Sequence, residues 1–240
     1  MQKNKVDCII MAAGVGSRLM PLTEDRPKTM VEVKNKPIIG WLLDAIKDID
    51  VNKIFIISNY KESIIKSYIK YNYSDMDIQF IHQKKLSGTA DAIKLTKTHT
   101  KNRNILVLSG DIIYNKSELN NLIKMKNSLL FTEKFNRLYE YGTIDKGDPL
   151  REFGFWEIKF INEKSTRPTS NYVNCGAYYF DNRVYDYIDR THYDSRFDEK
   201  IITNTINLMI DDGIKFNGYW TEHLNEISHP EDIEEVELRL

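Results

Sequence analysis

Residues 6–28 of this 240-residue chain read VDCIIMAAGVGSRLMPLTEDRPK. The apolar run Val6–Met11 predicts a buried strand, because it is short, rich in aliphatic side chains and followed at once by a glycine turn. Gly14 and Gly16 let the backbone approach a ligand closely and present N–H groups to an anion. A strand that ends in such a turn is typical of an α/β protein, and the turn suits a phosphate group.

Downstream of this turn, helical and strand patterns alternate. Apolar residues recur at helical spacing in Pro37–Ile49, and Lys53–Ser58 reads as the next β-rich run. The alternation continues through a helix at Glu62–Ile69, a strand at Ile78–His82, a helix at Thr89–Thr96, a strand at Ile105–Leu108 and a helix at Ser117–Lys126. This order predicts a Rossmann-like α/β fold, with a mostly parallel central sheet and helices on both of its faces.

The pattern changes after about Ser128. Three β-rich runs, LLFTE, FWEIKFI and YVNCGAYYF, follow with few helical segments between them, which predicts a smaller mixed extension of the sheet. No linker separates the two halves of the chain, so we expect a single domain over residues 1–240.

Two helices are expected near the C-terminal end of the sequence. The first covers Asp198–Asp212, where apolar pairs recur at helical spacing, and Gly213 closes it. The second covers Pro230–Leu238, with Ser228 or His229 as its cap.

The composition excludes several classes of protein. The 34 Lys and Arg residues nearly balance the 35 Asp and Glu residues, and a net charge of −1 gives no general attraction to nucleic acid or to an anionic membrane. Neither Cys8 nor Cys175 lies in a CxxC pair, so a disulfide framework and a structural zinc site lose their usual signatures. Apolar runs are too short for a signal peptide or a membrane-spanning helix, so we expect a cytoplasmic protein.

The glycine turn differs from two common nucleotide-binding motifs. A dinucleotide-binding GxGxxG motif would need glycine at position 19, which is Leu19, and the GxxxxGK[ST] pattern is absent from the sequence. The turn instead reads G-x-G-x-R, with Pro27-Lys28 further along. Arg18 and Lys28 would place two cations beside the turn, where they could neutralise a triphosphate and the pyrophosphate that leaves it.

Two further segments carry polar groups beside expected strands. Asp111 follows a strand and Gly110, so its carboxylate would project from the carboxyl end of that strand, where open α/β sheets bind ligands. Such a carboxylate suits Mg²⁺, which prefers oxygen ligands and phosphates, although the same aspartate could cap a turn. Gln83 offers an amide to a base edge, and Gly88 permits close approach. Thr89 could contact a base, cap the following helix, or do both.

These motifs resemble a known family. Residues 11–38, MAAGVGSRLMPLTEDRPKTMVEVKNKPI, are similar to the signature region of the sugar-1-phosphate nucleotidylyltransferases, which join a nucleoside triphosphate to a sugar 1-phosphate and release pyrophosphate. The resemblance implies that Arg18 and Lys28 hold the triphosphate. It also implies that the turn lies against the nucleotide through Ala12, Ala13, Gly14 and Gly16. It covers roughly residues 6–235 and weakens towards the C-terminus.

Downstream segments follow the order of the family. Residues 83–92, QKKLSGTADA, resemble the base-binding segment, which gives this role to Gln83, Gly88 and Thr89. Ser109-Gly110-Asp111 resembles the metal-binding turn, so Asp111 is expected to bind Mg²⁺. The resemblance assigns the sugar phosphate to Gly142, Glu163, Lys164 and Asn174. It thereby implies a nucleotide-binding half over about residues 1–127 and a sugar-phosphate-binding half over about residues 128–240.

The C-terminal segment departs from the family pattern. Members of the family usually supply a second metal-binding Asp or Asn there, often in a Trp-x-Asp context, whereas residues 220–232 read WTEHLNEISHPED. Asn225, Glu226 and Ser228 are all candidates, and counting back from Pro230 favours Glu226 as the second ligand.

The activity implied by the resemblance is a Mg²⁺-dependent transfer without a covalent intermediate. A phosphate oxygen of the sugar 1-phosphate attacks the α-phosphorus of the nucleoside triphosphate in line and displaces pyrophosphate. UTP or dTTP is the expected nucleotide, because uracil and thymine present an acceptor, a donor and an acceptor to the amide of Gln83 and to nearby backbone groups. The expected partners are small-molecule substrates, with no nucleic acid and no membrane, and a homo-oligomer is left open.

Two alternative functions stay open. One is a cytidylyltransferase that acts on a non-sugar phosphate such as phosphocholine, and the other is a regulatory subunit that binds a nucleotide sugar without turnover. A glycosyltransferase is disfavoured, because its DxD motif should directly follow a strand. Asp48-Ile49-Asp50 ends an expected helix, and Asp75-Met76-Asp77 precedes an expected strand.

Overall fold

A computed structural model of the protein describes residues 6–100, 103–152 and 154–240. The strands within these ranges are β1 (Val6–Ala12), β2 (Glu32–Val33), β3 (Lys36–Pro37), β4 (Val51–Ser58), β5 (Ile78–His82), β6 (Ile105–Ser109), β7 (Ser128–Glu133), β8 (Gly142–Pro149), β9 (Phe155–Glu163), β10 (Tyr172–Phe180) and β11 (Phe216–Trp220). The α-helices are α1 (Ile38–Ile46), α2 (Glu62–Asn72), α3 (Thr89–Lys94), α4 (Lys116–Leu122), α5 (Val184–Arg190), α6 (Ile202–Asp211) and α7 (Glu231–Arg239). Short 3₁₀ turns cover Ser17–Leu19, Lys28–Met30 and Leu138–Glu140.

The first half of the chain builds the parallel part of a nine-stranded sheet. The strand order begins β5-β4-β1-β6, and each of these three pairings is parallel. In β1, Ile9 lies opposite Phe55 of β4 on one side and Val107 of β6 on the other. The chain therefore leaves β1 for one side of the sheet and later returns to its other side. Such a reversal opens a crevice at the carboxyl ends of the two central strands, where ligands of open α/β sheets bind.

The second half continues the same sheet with mixed pairings. The order runs on from β6 as β10-β7-β11-β9-β8, and β10 is antiparallel to both β6 and β7. β7 and β11 are parallel, whereas β9 is antiparallel to β11 and to β8. The predicted α/β fold with a mixed extension is thus confirmed. The small separate hairpin of β2 and β3 was not predicted.

Helices cover both faces of the sheet. Strand residues alternate between two apolar clusters. In β1, for example, Cys8 and Ile10 belong to the first cluster and Ile9 to the second. The first cluster contains buried side chains of α1, α2, α4 and α7, and the second contains those of α3, α5 and α6. Alternate strand residues therefore contact helices on opposite sides, which explains the continuous apolar runs in the sequence. No helix of the described ranges combines the length and the apolar character that crossing a membrane requires.

Two local predictions for the second half were wrong, and the strand β8 was not predicted. α6 begins at Ile202 instead of Asp198; Asp198 lies in a turn with φ +53°, and Glu199 forms an antiparallel bridge with Asp194. α7 has no side-chain cap from Ser228 or His229; the Asp232 carboxylate instead accepts hydrogen bonds from the backbone N–H groups of both residues, at 2.8 and 2.7 Å. The sequence prediction also missed α5 and β11. The division of function near residue 127 stays a prediction.

Candidate active site

The carboxyl ends of β1 and β6 form one wall of a cleft of about 280 Å³. Gly110 allows this arrangement, because a Cβ there would lie 2.5 Å from the Met11 carbonyl oxygen. The Gly110 N–H donates to that same oxygen at 3.0 Å. Eight residues proposed from the sequence line the cleft, namely Ala12, Ala13, Gly14, Lys28, Gln83, Gly88, Thr89 and Asp111.

Lys28 and Asp111 form an ion pair inside this cleft. Lys28 Nζ donates to Asp111 Oδ2 at 2.5 Å, and both side chains are largely shielded from solvent. Lys28 comes from the 3₁₀ turn after the glycine loop, and Gly16 of that loop packs against its side chain. Two sequence motifs 83 residues apart therefore meet at one point. Asp111 uses its side chain for this contact, which leaves its predicted alternative as a turn cap without support.

The C-terminal segment brings the second acidic group to this point. Ile112 and Glu226 form an antiparallel bridge, and the Ile227 N–H donates to the Asp111 carbonyl oxygen at 2.9 Å. Ser228 Oγ donates to Glu226 Oε1 at 2.5 Å and accepts from Lys28 Nζ at 3.3 Å. Lys28, Asp111, Glu226 and Ser228 thus form one polar cluster. Asn225 also lies in this segment; its backbone carbonyl oxygen pairs with the Ile113 N–H, and its side-chain Oδ1, like Glu226 Oε2, is buried without a hydrogen bond within the described residues.

The Glu226 carboxylate is only partly satisfied by hydrogen bonds. Its Oε2 is buried and makes no hydrogen bond within the described parts of the chain. Burial and the nearby Asp111 carboxylate raise the pKa of Glu226, whereas Ser228 and Lys28 act in the opposite direction. A buried carboxylate oxygen without a partner is costly, which suggests that a cation or another donor belongs there.

The chemistry of this donor set fits Mg²⁺. Within residues 6–100, 103–152 and 154–240, no cluster of three or more His, Cys, Asp or Glu side chains could hold a metal. Mg²⁺ does not require such a cluster, because it commonly binds one or two carboxylates and fills its remaining positions with water and substrate phosphates. Asp111 and Glu226 would supply those two carboxylates.

The predicted base-binding segment is fixed by backbone contacts. Gly88 has φ +106°, and a Cβ there would lie 2.3 Å from the Lys200 carbonyl oxygen. The Ala90 N–H donates to that oxygen, and Thr89 Oγ1 accepts from the Ile202 N–H, each at 2.9 Å. Thr89 therefore ties the segment to α6, and the alternative that its side chain caps α3 is wrong. The buried Gln83 side chain lines the cleft beside this segment.

Arg18 lies outside the cleft wall. Its Nη1 donates to Glu140 Oε2 at 2.8 Å, and its side chain is 53% exposed. His229 Nε2 lies 3.1 Å from the same carboxylate oxygen. The structure therefore keeps Arg18 near the glycine loop but pairs it with a carboxylate from the second half.

The predicted sugar-binding residues lie on three adjacent strands. Gly142 of β8 lies opposite Glu163 of β9, and a Cβ on that glycine would approach Glu163 Oε2 to 2.8 Å. Asn174 lies in β10, which also pairs with β8. The amide of Asn174 donates to the Tyr178 hydroxyl at 2.5 Å and accepts from the Gly176 N–H at 3.1 Å. Lys164 is exposed, with Nζ 5.4 Å from the centre of the Phe197 ring.

This group connects to the nucleotide cleft through β10 and β6. A Cβ at Gly176 would lie 2.5 Å from Ser109 Oγ, and Ser109 lines the cleft. Burial raises the pKa of Glu163, although the Thr203 hydroxyl, which donates to its Oε2 at 2.9 Å, acts in the opposite direction. The structure therefore brings Gly142, Glu163 and Asn174 together beside the cleft, with Lys164 at the margin.

Sequence reasoning missed several residues at this site. Glu199 lines the cleft, and Lys200 holds the base-binding segment through its backbone. The residues before Ile202 were assigned to a helix, and helical spacing alone gave no signal that they form a turn and a short bridge instead. Glu140 and Thr203 contact predicted site residues that are distant in sequence, and single-sequence motifs contain no signal for such contacts.

Known proteins match this chain over most of its length. Residues 7–223 match the model of the nucleotidyl transferase family. The bifunctional protein GlmU of Methanocaldococcus jannaschii is 34% identical over 235 residues, which cover 96% of this chain and 53% of the relative. This chain therefore spans about half the length of that relative. The UTP–glucose-1-phosphate uridylyltransferase AglF of Haloferax volcanii is 30% identical, with 98% of this chain and 96% of the relative covered.

A solved structure shows the same fold. UDP-glucose pyrophosphorylase in complex with UDP-glucose matches with a TM-score of 0.87 and 19% identity, and 98% of each chain is covered. At this identity the likeness concerns the fold alone, whereas the family model and the two sequence relatives concern ancestry. The chain therefore belongs to the nucleotidyl transferase family, which agrees with the resemblance of residues 11–38 to the signature region of its sugar-1-phosphate members.

Proposed function

We propose that the protein is a Mg²⁺-dependent sugar-1-phosphate nucleotidylyltransferase that uses UTP or dTTP and releases pyrophosphate. The observation that carries this proposal is the meeting of Lys28, Asp111 and the buried Glu226 beside the glycine turn, at the point where the sheet order reverses. The name of the AglF relative, a UTP–glucose-1-phosphate uridylyltransferase of nearly equal length, supports the same substrate class.

The residues of the chain align two anions that repel each other. In the proposed reaction, Lys28 and Arg18 contact the triphosphate and offset the charge that develops on the departing pyrophosphate. Mg²⁺ held by Asp111 and Glu226 would supply further positive charge to the phosphates. Gly142, Glu163 and Asn174 hold the sugar so that its phosphate faces the α-phosphorus. A general base is unnecessary, because the attacking phosphate oxygen is already an anion.

The base side of the cleft favours a single-ring base with two carbonyl groups. The Gln83 amide carries both donors and an acceptor, and the backbone beside Gly88 adds further groups. Cytosine would replace one acceptor by an amino group and leave a buried polar group mismatched, which costs about 1–3 kcal/mol. A purine would also have to fit a larger ring between the glycine turn at Ala13 and the segment at Gly88, which both line the cleft.

The decisive experiment measures pyrophosphate release from a panel of substrates. The panel combines UTP, dTTP, CTP, GTP and ATP with several sugar 1-phosphates and with phosphocholine, in the presence of Mg²⁺ and again with excess EDTA. We expect the fastest release with UTP or dTTP and a sugar 1-phosphate, and loss of release with EDTA. Fastest release with CTP and phosphocholine would support the cytidylyltransferase alternative. Nucleotide-sugar binding without release from any pair would support the regulatory alternative.

Two further expectations belong to the proposal. A nucleotide-sugar enzyme acts on soluble metabolites, which agrees with the expected cytoplasmic location. The homo-oligomer left open by the sequence is testable by light scattering of the purified protein.

A further inference from the structure

Glu140 joins three segments that are distant in the sequence. Its Oε2 accepts from Arg18 Nη1 at 2.8 Å and lies 3.1 Å from His229 Nε2. Arg18 follows the glycine turn, and His229 follows the segment that carries Glu226. Glu140 itself ends the 3₁₀ turn directly before β8, which starts at Gly142 of the sugar side. The Glu140 carboxylate therefore contacts Arg18, a proposed nucleotide-binding residue, and lies two residues before Gly142, a proposed sugar-binding residue.

The two partners in the Arg18–Glu140 pair differ in freedom. The Arg18 side chain is 53% exposed, whereas those of Glu140 and His229 are 14% and 24% exposed. The turn that carries Glu140 is also anchored, because Arg137 at its start donates to Asp232 Oδ1 at 2.7 Å. The Asp232 carboxylate in turn accepts hydrogen bonds from the backbone N–H groups of Ser228 and His229, just before α7. Glu140 is thus held by its surroundings, whereas the Arg18 side chain has few neighbours that would hold it apart from Glu140.

The contact leaves most of the guanidinium available. A guanidinium has five N–H donors, and Glu140 accepts from Nη1 alone among the hydrogen bonds found in the described residues. The remaining donors can bind phosphate oxygens while the pair persists. A long, exposed side chain such as that of arginine loses rotamer freedom on binding a ligand, which weakens the binding. A partner that orders Arg18 beforehand removes part of this cost.

We infer that Glu140 is a positioning residue that orients Arg18 for the triphosphate. This inference rests on the proposed role of Arg18 in nucleotide binding. It predicts that loss of the Glu140 carboxylate weakens nucleoside triphosphate binding and leaves sugar 1-phosphate binding nearly unchanged. It also predicts that the effect disappears when Arg18 itself is absent.

The test is a double-mutant cycle on triphosphate binding. The Kd of UTP with Mg²⁺ is measured by calorimetry for the wild type, Glu140→Ala, Arg18→Ala and the double variant, and the KM of both substrates is measured alongside. We expect Glu140→Ala to raise the Kd of UTP about 5- to 10-fold, which corresponds to about 1–1.4 kcal/mol, and to change the KM of the sugar 1-phosphate less than about 2-fold. In the Arg18→Ala background the same change should raise the Kd less than about 2-fold.

Two variants control for structural effects. Glu140→Gln keeps the shape and an acceptor oxygen and should restore part of the lost affinity. Asp212→Ala removes the carboxylate of the Arg190–Asp212 pair, which has the same kind of contact at 2.7 Å and a similarly exposed arginine, and it should leave the Kd of UTP unchanged. The inference is overturned if Glu140→Ala lowers the Kd, raises it equally in both backgrounds, or weakens both substrates equally.

The inference and the proposed function fail in different ways. A wild type that binds UTP but releases no pyrophosphate from any substrate pair would refute the proposed reaction, while the cycle on UTP binding would still decide the role of Glu140. A wild type with full turnover and an unchanged Kd in Glu140→Ala would refute only the role of Glu140.

Discussion

The proposed nucleotide side, which lines the cleft, and the proposed sugar side, which lies beside it, carry their polar groups on different parts of the sheet. On the nucleotide side, the glycine turn after β1 and the Gly110-Asp111 turn after β6 project from strand ends, and backbone contacts fix both. On the sugar side, Glu163 and Asn174 lie within strands, and other side chains hold them in place. The strand-end groups line the cleft, whereas the strand-borne Glu163 is also part of the packed protein.

This difference suggests how each side responds to substitution. A side chain at a strand end can be removed with a large loss of activity and a small change in stability. Burial of a polar side chain within a strand lowers the stability of the folded state. Its replacement should therefore change the stability of the protein as well as its affinity for substrate. The following predictions test the two halves of this comparison.

The largest effect is expected for Asp111→Ala. The change removes a proposed Mg²⁺ ligand and the partner of Lys28, so turnover should fall roughly 1000-fold while the unfolding temperature changes by less than about 3 °C. Pyrophosphate release and thermal unfolding followed by circular dichroism measure the two quantities. Asp48→Ala is the matched control, because Asp48 pairs with Lys116 on the surface and neither residue lines the cleft. Near-normal turnover in Asp111→Ala with Mg²⁺ present would show that Asp111 is not the ligand.

A smaller loss is expected for Lys28→Ala. The change removes one charge contact to the triphosphate, so kcat/KM for UTP should fall on the order of 100-fold. The KM of the sugar 1-phosphate should rise less than about 3-fold, because Lys28 lies on the nucleotide side. Lys116→Ala, the other partner of the surface pair, should leave both constants unchanged. Equal weakening of both substrates would remove the distinction between the two sides at this residue.

The strand-end groups were also the part of the site that could be predicted from the sequence. The glycine turn, Lys28 and Asp111 lie in short contiguous motifs, and the carboxyl ends of parallel strands lie at one edge of the sheet whatever the details of packing. The fold class followed from the same alternation of strand and helix patterns. The family resemblance then placed Gln83 and the sugar-side residues in order along the chain.

Contacts between distant segments could not be predicted in this way. Arg18 and Glu140 are 122 positions apart, and both are ordinary surface residues by sequence. Asp198–Lys200 fit the first turn of a helix, but the backbone of Lys200 instead pairs with Ser87 and Ala90. β11 was missed because FNGYW contains two weak strand formers, Asn217 and Gly218. The side chains of Phe131 and Ile158 occupy the space that a Cβ on Gly218 would need, so the strand requires glycine there.

Base selection is expected to respond moderately to Gln83→Ala. Loss of the amide removes donors and an acceptor that distinguish uracil from cytosine, so the ratio of kcat/KM for UTP over CTP should fall about 10-fold. Parallel kinetics with the two nucleotides measure this ratio. Gln79→Ala on β5 is the matched control, because the Gln79 amide contacts His99 instead of the cleft. A ratio that stays constant in Gln83→Ala would assign base selection to the backbone of the segment at Gly88 alone.

The last prediction, which tests the proposed sugar side, concerns Glu163→Gln. Burial raises the pKa of Glu163, so the folded state binds this proton more tightly than the unfolded state and loses stability as the pH rises through that pKa. Glutamine removes the buried charge and keeps an oxygen that accepts from Thr203. The unfolding temperature at pH 8 should therefore rise by about 2–4 °C, and the difference should shrink at pH 4, where wild-type Glu163 is protonated. The KM of the sugar 1-phosphate should rise about 10-fold.

Glu157→Gln on the same strand is the control, because that carboxylate is partly exposed and pairs with Lys159. A lower unfolding temperature for Glu163→Gln at pH 8 would mean that the charged carboxylate stabilises the fold, and the proposed difference between the two sides of the cleft would then be wrong.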